Sequence, residues 1–192
     1  MLRTVTPRDK LSASSDLLPC PESSQSSRWE TGTASFEAIA GIQAAVEYLA
    51  SLAVRAGRAD RMDSLRLKLE KSYHLIREHE DNISELFLTE ALKIPGLIVH
   101  GMTDREDICR RTPTFSLSLQ GLTAPELANS LVARGIICGA GHFYALGFPA
   151  VMNLEGNGGY TRLGFFHYNT LEEVRRVLTA IKEVADAAAA GA

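Results

Sequence analysis

The chain has 192 residues, 45% of them hydrophobic and 22% charged, with a net charge of −3. This is the makeup of a water-soluble globular domain of about 150 residues with a tail, and it lacks the basic stripe that would hold nucleic acid or an anionic membrane surface. Uninterrupted apolar runs fall far short of the roughly 20 residues that a spanning helix needs, so no membrane segment is expected. The three cysteines, Cys20, Cys109 and Cys138, are widely spaced, with no CxxC pair or zinc-spaced histidine, and read as reduced thiols of a cytoplasmic protein.

Residues 1–27 are Ser-rich and punctuated by proline, with no apolar core of a secretory signal. Asp9, Asp16 and Glu22 weigh against an organellar transit peptide, so this stretch reads as a disordered leader. The boundary falls at Arg28 to Phe36. Thr31, Thr33 and Ser35 are all N-cap candidates, and Gly32 allows a tight turn ahead of the helix they would cap. Two readings stay open there: an ordinary capped helix start, or an anion site made by free amides, hydroxyls and the positive helix end, with Arg28 nearby.

From Phe36, the apolar residues Ile39, Ile42, Val46, Leu49 and Ala53 recur every three or four positions, predicting an amphipathic helix that stops near Gly57. A second helix is predicted across Asp60 to Thr89, its buried stripe made by Leu65, Leu69, Tyr73, Ile76, Ile83, Leu86 and Phe87. The run Arg77-Glu78-His79-Glu80-Asp81 lies on that helix. It reads as a solvated face rather than a metal site, since no second ligand pair is spaced to meet it, and His74 and His79 receive no role.

Pro95-Gly96 turns the chain into a short strand at Leu97-Ile98-Val99, and Thr114 to Leu119 alternates with period two as a second strand ended by Gly121. Thr123-Ala124-Pro125-Glu126 is a capping box opening a helix with Leu127, Ala128, Leu131 and Val132 inward and Gly135 just past its end. Ile136-Ile137-Cys138 is read as the third strand. The loop Gly139 to Tyr144 then presents His142 and a tyrosine, without the third glycine or distant acid of a dinucleotide fingerprint. By spacing alone His142 is either structural or functional. After the turn Glu155 to Gly159, a fourth strand is expected over Tyr160 to His167, with Arg162, Tyr160 and Gly164 on one face. A second capping box, Thr170 to Glu173, starts the last helix, whose inner residues are Val174, Val177, Leu178 and Ile181. The order helix, helix, strand, strand, helix, strand, strand, helix implies an α+β fold: a small, largely antiparallel sheet covered by helices.

Five stretches carry a resemblance: RWETGTASFEAIAGIQAAVEYLASL from Arg28, IPGLIVHG, RTPTFSLSLQG, RGIICGAGHFYALGF and TRLGFFHYNTLEEVRRVL. In this order they resemble the second half of the cysteine desulfurase-like branch of the class V aminotransferases, fold type I enzymes that depend on pyridoxal phosphate. The match covers roughly residues 28–182. It implies a division into the leader 1–27, a linking helix 28–57 and a small domain 58–192. It also implies that Gly32 and Thr33 belong to the E-x-G-T motif that reaches the cofactor phosphate of a neighbouring subunit in a homodimer. Arg162 matches the arginine that pairs the α-carboxylate of an amino acid substrate, and His142 stands in the substrate-binding loop.

Two departures stand against the family pattern. Cysteine desulfurases place a nucleophilic cysteine after the Gly-His pair, where this chain has Phe143-Tyr144. The lysine that links the cofactor and the aspartate that holds its ring nitrogen belong to a large domain that has no counterpart here. None of Lys10, Lys68, Lys71, Lys93 and Lys182 lies in the family's lysine context. The expectation is therefore a detached or truncated small domain that does not bind the cofactor covalently and has no catalytic residue of its own. It would be completed by a separate large-domain chain, or would be a non-catalytic binding module of the same fold.

Overall fold

A computed structural model of the chain describes residues 32–190; the leader, Arg28, Thr31, Lys10 and Cys20 lie outside the described residues. The chain divides into two compact units, residues 1–49 and 50–192. In the first, helix α1 (Phe36–Arg55) begins, with the carbonyl of Ser35 accepting the amide of Ile39 at 3.1 Å. Ser35 therefore holds the N-cap place, and Thr33 lies two residues ahead of it. Phe36, Ile39 and Ile42 are all more than half exposed. By length and composition α1 is apolar enough to cross a membrane, which corrects the expectation that no segment reaches that standard. Glu37, Gln43 and Glu47 interrupt its apolar runs, but the Ala, Ile, Leu and Val around them keep the average high.

In the second unit, the end of α1 meets helix α2 (Leu65–Ala91), where the amide of buried Ala53 donates to the hydroxyl of buried Ser72 at 3.0 Å. Helix α2 starts five residues later than the apolar stripe predicts. The Asp60 carboxylate accepts the amide of Met62 at 2.8 Å, and the Asp63 carboxylate accepts that of Asp60 at 3.0 Å. These local bonds offer the backbone an alternative to helix until Ser64 caps it. The predicted stripe is also only half right: Ile83 and Phe87 are fully buried, whereas Leu65 and Tyr73 are exposed.

Strands β1 (Leu97–His100), β2 (Thr114–Leu119), β3 (Gly139–Gly141) and β4 (Tyr160–Gly164) form one sheet in the order β1-β2-β4-β3, with every pair antiparallel. Between them lie helix α3 (Ala124–Val132) and the short helix α4 (Gly147–Val151), and α5 (Leu171–Ala190) closes the chain. Short 3₁₀ helices cover Arg105–Arg110, about two turns, and Glu155–Asn157, a single turn. The fold is the α+β arrangement expected from the sequence.

The third strand is displaced from its predicted place. Helix α3 ends in a Schellman closure, with the amide of Gly135 on the Val132 carbonyl and that of Ile136 on the Leu131 carbonyl, and Gly135 at φ +73°. Ile136 is thus the buried plug of a helix end and Ile137 is 97% exposed, so pairing starts only at Gly139. Strand β4 is shorter than expected, stopping at Gly164.

Alternation makes the sheet one-sided. Leu97, Val99, Phe115, Leu117, Leu119, Thr161 and Leu163 face the core with Ile83, Phe87, Leu127, Leu131, Val174 and Ile181 from α2, α3 and α5. Phe87 and Phe115 stack with ring centroids 3.9 Å apart at its centre, with Phe165 beside both. Thr161, the polar intruder, is satisfied by donating to the Ala124 carbonyl at 3.0 Å. The opposite face of the sheet is where polar side chains can meet a ligand.

Candidate functional site

Register, not proximity in sequence, assembles the open face. Gly139 pairs with Arg162, Arg162 with Ser116, and Ser116 with His100, so these four residues form one row across all four strands. Each lies two positions from a neighbour on the same face, which adds Tyr160, Gly164, Thr114, Ser118, Ile98 and Gly141. The row mixes one cation and a histidine with small and hydroxylic residues, and Phe143 lies against it at Arg162 and Phe148 of α4 at His100.

Arg162 sits at the middle of this row and is exposed. Among the described residues no carboxylate lies within ion-pairing distance of it. Its guanidinium instead lies over the ring of Phe143, 3.9 Å from the centroid. Arg111, the other arginine stacked on an aromatic ring, behaves differently. Its guanidinium lies 4.4 Å from the Phe115 centroid and donates to the carbonyls of Met102, Thr112 and Thr114. Burial pushes its pKa down. Arg111 is committed to the backbone, while among the described residues the Arg162 guanidinium has no carbonyl or carboxylate partner.

Phe143 follows His142 in the loop leaving β3, so the structure brings the His142 loop to Arg162 through that ring. His142 is exposed, and its Nδ1 accepts the amide of Tyr144 at 3.0 Å, which leaves the proton of the neutral ring on Nε2. Phe143 and Tyr144 both have left-handed backbone, at φ +48° and +66°. At the far end of the row, His100 bonds Ser118 Oγ at 2.8 Å, and burial pushes its pKa below the usual histidine value.

Gly32 and Thr33 are both exposed just ahead of α1, in the other unit. Cys138 is half-buried, its thiol donating to the Ala128 carbonyl at 3.6 Å, and burial pushes its pKa up. That environment disfavours the thiolate, the form a nucleophilic cysteine needs. His79 bonds the Asn169 carbonyl at 2.7 Å, a structural tie between α2 and the turn before α5. Among the described residues no cluster of His, Cys, Asp or Glu could hold a metal. Sequence reasoning missed Gly139 and Phe143. A strand read over Ile136 to Cys138 leaves Gly139 in a loop, whereas the pairing with β4 begins at Gly139.

The family model for aminotransferase class-V matches residues 62–177. The chain belongs to the class V aminotransferase family. Members of this family depend on pyridoxal phosphate. The cysteine desulfurase of Shigella flexneri is 25% identical over 157 residues, covering 82% of this chain and 32% of that protein. The aminotransferase-like protein FGM3 of Gibberella zeae is 26% identical over 118 residues, covering 60% of this chain and 29% of that protein. The apo structure of cysteine desulfurase from Thermococcus onnurineus superposes with a TM-score of 0.63 at 21% identity, covering 84% of this chain and 34% of that one. This class V chain thus resembles the cysteine desulfurase-like branch in sequence and fold, and spans about a third of the length of these relatives.

The family's cofactor needs a lysine and a ring-nitrogen partner. The lysines among the described residues lie on α2, just past its end and on α5, none of them on a strand of the sheet. Lys68 donates to the Arg61 carbonyl, Lys71 pairs with Asp63 and Lys93 with Glu90, and Lys182 lies on α5. The open face offers an arginine and no lysine among the described residues, so it does not by itself suit the anchorage of the cofactor.

Proposed function

We propose that this chain forms the substrate-carboxylate side of a class V active site acting on an amino acid, and that it is not catalytic alone. Arg162 pairs the α-carboxylate, a task for which a planar fork of donors outperforms a point charge. His142, on the neighbouring loop, contacts the bound amino acid. Gly32 and Thr33 offer an amide and a hydroxyl to the cofactor phosphate of a second subunit in a homodimer. A large domain supplied by other sequence contributes the lysine and the aspartate. Phe143-Tyr144 in place of a loop cysteine argues against persulfide chemistry. The whole assembly is assigned to the cytoplasm; in membrane flotation, the chain should stay with the soluble fraction despite the apolar α1.

The observation that carries the reading is Arg162, exposed on the open face and unmatched by any carboxylate among the described residues. In a ¹⁵N NMR titration, L-alanine should shift the Arg162 Nε–H resonance, whereas L-alaninamide should not. Equal response to the two ligands refutes a carboxylate site. Incubation with pyridoxal phosphate, borohydride reduction and peptide mapping should find no stoichiometric label on one lysine and no amino acid turnover. A single labelled lysine with turnover overturns the incomplete-site reading.

A further inference from the structure

Where Phe143 reaches Arg162, β3 has no side chain beside the ring. A Cβ on Gly139 would stand 3.2 and 3.3 Å from Cε1 and Cζ of the Phe143 ring, closer than ordinary van der Waals contact. Gly139 is also the residue paired with Arg162 across the β3–β4 ladder. The bare Cα is therefore the slot through which a loop residue lies down beside the neighbouring strand. The ring is held there from another side by Tyr160, at a centroid distance of 5.4 Å, and Tyr160 is braced in turn by Phe148 at 5.2 Å. The backbone that delivers it, Phe143 and Tyr144 in succession with positive φ, is one that L-residues adopt only against steric cost. The His142 imidazole helps to hold that bend by accepting the Tyr144 amide.

Contact with a ring engages the flat face of a guanidinium and leaves its in-plane N–H groups free. Those in-plane donors are the ones a carboxylate takes two at a time. An exposed arginine without such a support spreads over many rotamers, and binding must then immobilise it. We propose that Phe143 is a positioning residue for Arg162, its ring lying in the slot left by Gly139 and holding the guanidinium fork ready for a carboxylate on the open face of the sheet. This rests on the reading of Arg162 as the carboxylate partner. It adds that the aromatic residue in the His142 loop sets how strongly that partner binds.

The test uses the full 192-residue chain, isotopically labelled, with acetate as the probe. In the unsubstituted chain the Arg162 side-chain protons should be shifted upfield by the Phe143 ring. The substitution F143L should abolish that shift and weaken acetate binding at Arg162 about two- to fivefold, the worth of one exposed cation–π contact. F143Y, which keeps a ring, should restore both. G139A leaves Phe143 in the chain but crowds the edge of its ring at Cε1 and Cζ, and should move the Arg162 resonances and acetate affinity in the same direction as F143L; it carries the comparison if F143L fails to fold. An Arg162 resonance and acetate affinity unchanged in both F143L and G139A overturn the positioning role while leaving the carboxylate site standing. No acetate response at Arg162 in the unsubstituted chain overturns the carboxylate reading and the positioning role with it.

Discussion

Replacing Gly159 by alanine tests whether the short β3–β4 ladder is what holds the candidate site together. Gly159 has φ +88°, and a Cβ there would stand 2.4 Å from the carbonyl oxygen of Gly141 and 2.5 Å from its carbonyl carbon. The obstructing atoms are backbone, so no rotamer change relieves the clash. The left-handed conformation alone costs an alanine about 1–2 kcal/mol. Relief of the overlap requires β3 to move by roughly an ångström, since ordinary contact begins near 3.4 Å. Strand β3 is joined to β4 by only three residue pairs, so such a movement should break its pairing at Gly141↔Tyr160 first. Together these should cost about 2–4 kcal/mol, within the range for strained and overpacked substitutions. Urea unfolding measures the loss, and the upfield shift of Arg162 should vanish along with the β3 amide protection. The contrast is Gly41→Ala in α1, where nothing lies within 4 Å of the added Cβ and a gain of about 0.5–1 kcal/mol is expected from helix propensity. If G159A unfolds within about 0.5 kcal/mol of the unsubstituted chain, well below the strain cost, β3 is not pinned against the Gly159 turn and the account of the site's rigidity is wrong.

The capping boxes predict a pH dependence. Bonds from the hydroxyl and amide of Thr123 hold the Glu126 carboxyl below its usual pKa, and Glu173 is held down by Thr170 and Asn169. A depressed folded pKa means stability that is present above the unfolded value of about 4.3 and lost as pH falls through the folded one. The urea midpoint should therefore drop below about pH 4.3, and drop less in E126Q; an identical profile in the two chains counts against the box. A separate expectation concerns α1, where Phe36, Ile39 and Ile42 are 71%, 56% and 66% exposed. Such a face drives self-association or dye binding, and the pair of substitutions I39E and I42E should reduce both by light scattering and dye fluorescence. A dye-silent monomer before substitution would contradict this.

Local signals in the sequence gave dependable answers wherever a structural choice depends on neighbours within one turn. The box at Thr123 to Glu126, the glycine stop at Gly135 and the strand Thr114 to Leu119 all appear as read, although the burial alternates only as far as Leu117 and Ser118 is buried too, because caps and strand patterns are satisfied by residues a few positions apart. The errors also have local causes. Asp60 and Asp63 delayed α2 with side-chain bonds that an apolar stripe does not register, and the Schellman closure took Ile136 out of the sheet. Arg162 was singled out by the family resemblance, and His142 by its glycine-bracketed loop. Nothing in the sequence distinguished Arg162 from Arg111 as a free rather than a committed guanidinium, because that difference depends on which carbonyls lie within reach after folding.

What the sequence determined by itself is the order of the longer helices and the strands, a small, largely antiparallel sheet and the family, since patterning and ordered motifs survive without knowledge of packing; the short helix α4 and the place of β3 it did not give. What only the tertiary structure decided is the row Gly139–Arg162–Ser116–His100 and the ring of Phe143 over its cation. Strand register fixes which residues meet across 16 or more positions, and a shift of one residue would send every side chain to the other face. The bare Cα of Gly139 then turns that register into a slot, a property of two backbones and one ring that no single segment contains.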